Sequence, residues 1–458
     1  MAQMDPAMER FLFRNREPDS ERSYDEVLSD VQSWLVENHA AEIAKTGSDR
    51  KQVLLDLIRN YLSDRQITVS GFSTEALIGK LYEYMAGYAF LRKYLSDPDV
   101  EEIDINAWDD VEVIYSGEHP KKVRESFSSP EQSLALMRRL LTASELTVDS
   151  ANPSVVGTLE KGIRIAVCVP PVVDEETGVA ASIRVVGRRH LSKEDLLRCE
   201  TVNEPIWLFL NACMQFGPSF CVSGATNSGK TSLLDALLAG IPDNRRIITI
   251  EDGSREFDLR RNDRKGRAKN SVVHLLTRRR EFSDLPDITQ DYLLERVLRM
   301  NPDVIAVGEI RAASECMAVA EASRTGHLCA TTIHASSARD TYLRMMTLAK
   351  RKNDLSDGML LRIMAEAFPV IVFLRQLPDG TRKVMEVAEG TVTESGEIHQ
   401  RTLFRYKVDE NISDGNGGLQ TKGHFEQCSR PSERILNGFL ENGASRSMLG
   451  QMEREGSS

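Results

Sequence analysis

Between Phe220 and Leu238 the chain reads FCVS, then GATNSGKT from Gly224 to Thr231, then SLLDALL. No other stretch constrains the fold as tightly. The octet fits GxxxxGK(S/T), and it stands between a short apolar strand pattern and an amphipathic helix, the context that makes such an octet a phosphate-binding loop. Phosphate oxygens sit on backbone N–H groups at a helix N-terminus, which requires small residues and a glycine where a side chain would block the approach. Gly224, Ala225, Thr226, Asn227, Ser228, Gly229, Lys230, Thr231 and Ser232 are therefore the candidate nucleotide-binding set. Lys230 is expected to reach the β and γ phosphates of ATP, and Thr231 to offer its hydroxyl to Mg²⁺. The alternative is a glycine turn that happens to carry Lys and Thr, and the strand and helix in register on either side weigh against it.

A binding loop also occurs in switches that do not hydrolyse, so catalysis requires further acids. Asn301 to Arg311 (NPDVIAVGEIR) supplies one: an apolar strand, Val304 to Val307, delivers Glu309 at its C-terminal end, where ligands bind in open α/β sheets. A carboxylate there can orient or deprotonate the attacking water, or hold Mg²⁺ through water. Glu251 and Asp252 follow another apolar strand, Arg246 to Ile250, and by the same geometry point toward the nucleotide edge. As a turn, Glu251-Asp252-Gly253 would be ordinary.

Around this centre the pattern divides the chain. Residues 1–20 are polar and unpatterned and are expected to form a mobile arm. Across 21–96 apolar residues recur at helical spacing (Val27, Val31, Trp34, Leu35; Val53, Leu54, Leu57, Ile58, Leu62), which predicts a helical extension of three or four helices. Residues 97–190 switch to alternation in 100–115, 164–170 and 181–186, with a helix over 130–146 capped by Ser128 or Ser129: an α+β unit. The polar stretch 191–203 reads as a linker. From 204 to 410, alternating strands and helices predict an α/β domain with a parallel sheet covered on both faces. The tail, 411–458, reads as a glycine-containing loop (Gly415, Gly417, Gly418) before one or two short helices.

With these pieces in order, the chain resembles the secretion-superfamily ATPases of type II and type IV systems, and most closely their CpaF and TadA branch. RIITIEDGSREF resembles the family's acidic box, LLERVLRMNPDVIAVGEIRAASE its Walker B region, and GHLCATTIHASS, from Gly326 to Ser337, its histidine box. YLSDPDVEEIDINAWDDVEVI resembles the opening of its N-terminal domain, and PVIVFLRQLPDGTRKVMEVAEG its C-terminal strands. The resemblance spans about Leu77 to Tyr406; the tetracysteine zinc module of many type II members has no counterpart. It implies a RecA-like P-loop domain with a PAS-like α+β domain before it, and ATP sites between the two in a hexameric ring. It further implies that His334 senses the γ phosphate or the domain interface with His327 nearby, that Glu251 assists, and that Arg164 and Arg184 turn toward the nucleotide. A strand-face arginine paired with a carboxylate is the equal alternative for both arginines. Arg188 and Arg189 are weaker candidates.

Composition narrows the partners. A formal charge of −11 argues against a protein that coats nucleic acid. Arg255 to Arg280 holds ten Lys or Arg against three acids, which reads as a solvated loop because few aromatics interleave it to stack bases. The seven cysteines are scattered with no CxxC pair, the pattern of reduced packing thiols. No apolar run approaches the ~20 residues of a membrane-spanning helix, and the first residues lack the apolar core of a secretory signal. The expected setting is therefore cytoplasmic, with peripheral association at the inner face of the plasma membrane through platform proteins of a secretion or pilus system. A conjugation or DNA-uptake motor and a non-hydrolysing ATP-binding switch are the alternatives.

Overall fold

The computed structural model describes residues 22–39 apart from 25, 29, 32, 33, 36 and 37, and residues 50–455 apart from 87, 117–119, 145, 161, 186–189, 279–285, 394–396 and 414–418. The expected arm at 1–20, Arg188, Arg189 and the three tail glycines lie outside the described residues. The chain divides into two compact units, Met1–Asp97 and Pro98–Ser458.

The first unit is helical, with helices at Arg50–Asp64, Thr74–Ala86 and Leu91–Leu95 and further helical residues between 24 and 39. The apolar residues at 3.6-residue spacing form its core: Val27, Val31, Ile58, Leu62, Leu77, Ile78 and Leu81 are buried together.

The second unit opens with a six-stranded sheet made of β1 (Val100–Ala107), β2 (Asp110–Tyr115), β3 (Lys121–Lys122), β4 (Ser154–Glu160), β5 (Ile163–Cys168) and β6 (Ala180–Val185), in the order β3-β2-β1-β6-β5-β4. Every pairing is antiparallel. Alternation decides which face packs: Ile163, Ile165 and Val167 of β5 are each about fully buried while Arg164 and Ala166 face away. A helix at Pro130–Ala143 has Pro130 in its first turn, and the Ser129 side chain accepts the Gln132 N–H, so of the two candidate caps Ser129 is the one used. It stops three residues short of the expected end.

The expected linker holds a short helix, Lys193–Arg198. Its polar residues form a capping box in which Ser192 and Asp195 satisfy each other's backbone N–H. Asn203 then caps the helix Glu204–Phe216, with Pro205 in its first turn.

A nine-stranded sheet follows: β7 (Phe220–Gly224), β8 (Arg246–Glu251), β9 (Ser271–Leu276), β10 (Val304–Val307), β11 (Leu328–Ile333), β12 (Val370–Gln376), β13 (Arg382–Val392), β14 (Ile398–Ser413) and β15 (Leu419–Gln427). Its order is β15-β14-β13-β12-β7-β11-β10-β8-β9. From β12 to β9 the strands are parallel, as the sequence predicts; from β12 to β15 they form an antiparallel meander. Apolar cores cover both faces, one around Phe209, Leu210, Leu233 and Leu237, the other around Val319, Met345, Leu348 and Met364. Double coverage explains why β10 is buried at all four residues and reads as a continuous apolar run.

Two expectations for loops fail. Within the basic run, SVVHLL is the edge strand β9; it is half-buried along nearly its whole length, so no alternation marks it between the flanking charges. Around the tail, β14 extends to Ser413 and returns as β15, before helices at Glu433–Glu441 and Arg446–Glu455. The outer half of that hairpin is exposed on both faces, so it carries no apolar alternation to read. Gly423 is required there, because a Cβ would lie 2.3 Å from the Lys407 carbonyl oxygen.

Candidate active site

Strand β7 runs between β12 and β11, and its C-terminal end feeds the loop at 224–229. Gly224 (φ 153°) can hold no side chain, since a Cβ would meet the Leu374 carbonyl oxygen at 2.3 Å. Asn227 (φ 60°) and Gly229 (φ 91°) are also left-handed. The helix Lys230–Ala239 starts at Gly229 with no side-chain cap, which leaves its first-turn N–H groups open to an anion. Ala225, Thr226, Asn227 and Ser232 are exposed, Thr231 is half-buried, and the buried Ser228 hydroxyl donates to the Ala225 carbonyl at 2.8 Å. These features fit a phosphate chain.

Lys230 is buried, with Nζ donating to the carbonyls of Gly224 (3.1 Å) and Ala225 (2.7 Å). Burial pushes its ammonium pKa down to about 8, against the pull of Glu309. The same Nζ lies 3.4 Å from Nδ1 of His334, which directly follows β11. On the other side of that ring, Nε2 is 3.0 Å from Oε1 of Glu309, two residues beyond β10. Burial and then the Lys230 charge hold the His334 pKa below its ordinary value, so the ring is neutral at pH 7. The partners assign the tautomer: Nδ1 accepts from Lys230 and Nε2–H donates to Glu309.

The second oxygen of Glu309 accepts from Arg311, at 2.8 Å from a terminal nitrogen and 3.0 Å from Nε. Arg311 also reaches Oδ2 of Asp252 at 2.9 Å, and the other oxygen of Asp252 accepts from the Thr277 hydroxyl at 2.7 Å. One chain of contacts, Lys230–His334–Glu309–Arg311–Asp252, therefore crosses the C-terminal ends of β7, β11, β10 and β8. Arg311 was not among the sequence candidates, although it sits two residues beyond Glu309 within the GEIR segment.

Glu251 is placed otherwise than its neighbour. It ends β8 and is 1% exposed. One oxygen accepts from the Thr249 hydroxyl at 2.7 Å, and the other accepts the N–H groups of Glu256 and, at 2.8 Å, Phe257. Its carboxylate organises the 252–257 turn, and none of these partners belongs to the phosphate loop. Asp252, one residue on, points to the opposite side and joins the charged chain.

Arg164 and Arg184 are cross-strand partners on β5 and β6. Arg164 is anchored to the 252–256 turn: it meets Glu256 at 2.7 Å, donates to the Asp252 carbonyl at 2.7 Å, and bonds the Ser254 hydroxyl. Arg184 is exposed and makes no hydrogen bond or ion pair among the described residues, and its charge helps depress the Lys230 pKa. His327 is not near His334. It precedes β11 at the strand's other end, about 20 Å away at the rise of a β-strand, beside Ser219.

Thr231 and Glu309 offer hard oxygen donors, the kind Mg²⁺ prefers. Among the described residues no group of three His, Cys, Asp or Glu forms a protein-only cage. Two oxygen donors beside the phosphate loop fit an ion shared with phosphate oxygens.

In the basic run, Arg255 pairs with Asp258, Arg261 and Lys269 with Asp243, and Arg267 with Asp263. No helix among the described residues is long and apolar enough to cross a membrane.

Residues 139–393 match the family model described as type II/IV secretion system protein. A putative conjugal transfer protein of Mycobacterium tuberculosis is 26% identical over 342 residues, covering 73% of this chain and 92% of that one. The type IV secretion system protein VirB11 of Bartonella quintana is 27% identical over 331 residues, covering 64% and 89%. Among solved structures, the VirB11 ATPase of the Brucella suis type IV secretion system aligns over 65% of this chain and 95% of that one, at 24% identity and a TM-score of 0.33.

Proposed function

The chain belongs to the type II/IV secretion system protein family, and from that premise we propose that it is an ATPase working as a ring motor for pilus assembly or protein secretion. The observation that carries the reading is the charged chain from Lys230 through His334 and Glu309 to Arg311, set at the mouth of the phosphate loop.

Lys230 and the loop N–H groups bind the phosphates of ATP. Thr231 and Glu309 would hold Mg²⁺, which would supply charge neutralisation at the phosphates. Glu309 orients the attacking water. His334 and Arg311 hold one oxygen each, which fixes the direction in which the carboxylate faces the water. His334, neutral and bonded to both Lys230 and Glu309, reports γ-phosphate occupancy to the carboxylate. Arg184, exposed and uncommitted, is free to meet phosphoryl charge, its own subunit's or a neighbour's.

We assign the chain to the CpaF and TadA branch on its motifs, with a homo-hexameric ring docked on inner-membrane platform proteins at the cytoplasmic face. Similarity to a putative conjugal transfer protein favours one second reading, a conjugation motor, which a DNA-stimulated ATPase rate would reveal. The primary test is phosphate release with ATP and Mg²⁺, alongside Lys230→Ala and Glu309→Gln, with particle mass from light scattering. Turnover lost in both variants, from a particle of about six chains, is the expected result. Binding without turnover in the wild type would overturn it in favour of a switch.

A further inference from the structure

A loop that turns its N–H groups inward toward phosphate turns carbonyl oxygens outward, and those need partners of their own. The Asn227 oxygen has one: Nε of Arg382 donates to it at 2.8 Å. Arg382 is the first residue of β13, and the hairpin leading into it lies at the C-terminal end of β12, next to the phosphate loop. Its approach is built firmly. The turn closes with Leu377 N–H on the Thr381 carbonyl at 2.7 Å, and Asp379 accepts from the Thr381 hydroxyl at 2.7 Å and from the Thr421 N–H of β15 at 2.9 Å. The Arg382 stem lies over Gly229, where a Cβ would come within 3.2 Å of its Cδ.

The far end of the guanidinium meets Oε2 of Glu101 at 3.1 Å, and Glu101 belongs to β1 of the six-stranded sheet. A guanidinium is rigid and planar, so the carbonyl and the carboxylate are held at a set separation. We infer that Arg382 is a positioning residue for the phosphate loop, and that Glu101 controls its hold, so that the loop's nucleotide affinity depends on where the six-stranded sheet sits. The inference rests on the reading of 224–231 as a nucleotide site. It adds a physical link by which movement of one sheet changes binding at the other.

Nucleotide dissociation constants, from a fluorescent ATP analogue, and ATPase KM and kcat would be measured for the full chain and for Arg382→Ala, Arg382→Lys, Glu101→Gln and the Ala/Gln double variant. Loss of the charged donor should weaken binding and raise KM roughly tenfold, with kcat changed by less than about threefold. Lysine, which satisfies one acceptor but not both, should fall between. Because the Glu101 pair is partly exposed, Glu101→Gln should weaken binding about two- to threefold. Adding it to Arg382→Ala should cost nothing more. A merely structural arginine would lower the active fraction and kcat while leaving KM alone, and that result overturns the inference. So do unchanged affinity in Arg382→Ala, or additive effects in the double variant. Wild-type protein that binds no nucleotide would remove the phosphate-loop reading itself, a failure distinct from these.

Discussion

His334 and Glu309 are bonded across 3.0 Å, a neutral imidazole on a carboxylate whose second oxygen is held by Arg311. The role proposed for that carboxylate, placing and polarising the attacking water, makes Glu309→Gln the most informative single change. The rate of phosphate release should drop by about 100-fold or more, while nucleotide affinity in a fluorescence titration stays within about threefold. A rate within tenfold of the wild type would remove Glu309 from the chemistry.

The Lys230 pKa of about 8 predicts a pH limb. Phosphate favours the ammonium form, so as pH rises through about 8 the free protein loses the proton that binding must restore. Affinity should fall toward tenfold per pH unit above that value. Calorimetric titration at pH 8.5 in two buffers of different ionisation enthalpy should show proton uptake on binding. Arginine at position 230 stays charged, so in whatever affinity that variant retains the limb should vanish.

Arg184 depresses the Lys230 pKa through charge alone and is exposed. Arg184→Ala should therefore move the pH limb upward while changing unfolding free energy by less than about 0.5 kcal/mol. Arg164→Ala should behave oppositely. It strips partners from Glu256 and the Asp252 carbonyl, and should cost about 1–3 kcal/mol in a urea titration.

Glu251 is buried under the turn it organises. Glu251→Ala leaves the N–H groups of Glu256 and Phe257 unpaired, and should destabilise the protein by about 2–4 kcal/mol. KM in the surviving folded fraction should stay near that of the wild type. A KM rise with normal stability would return Glu251 to the nucleotide.

His190 bonds Asp235 at 2.6 Å, and that contact raises its pKa. For a raised histidine the added stability is present below the unfolded value, about 6.5, and is lost as pH rises through the folded one. The ring is partly exposed, so the effect should stay below about 1 kcal/mol. His190→Gln should cost more at pH 6 than at pH 8.5 by urea midpoint, and equal costs would exclude the linkage.

Which parts of this molecule were readable in advance follows from how local each one is. The phosphate loop, its strand and its helix occupy consecutive residues, and their requirements are those of one glycine-bearing turn and one helix N-terminus. Val304 to Val307 with Glu309 was readable for the same reason, since a doubly covered strand leaves an unbroken apolar run. Where burial leaves no alternation, as in outer β14 and β15, pattern reading found loops in place of strands.

Direction and partnership came only with the tertiary structure. Glu251 and Asp252 are adjacent acids with identical local credentials. Successive side chains at a strand end point to opposite sides, and only the packed sheet decides which side faces the site. Arg164 and Arg184 lie on one sheet face, but the 252–256 turn, some 90 residues away in sequence from the first, engages Arg164 and leaves Arg184 out. Arg382 lies in the segment that resembles the family's C-terminal strands, which assigns it no role, and a hairpin 155 residues beyond Asn227 brings it to the loop. Local segments were enough to specify a phosphate-loop turn in an α/β domain and a carboxylate just past a buried strand. The fold decided which charges meet there, because such contacts depend on strand order and side-chain direction, and neither is written in any one segment.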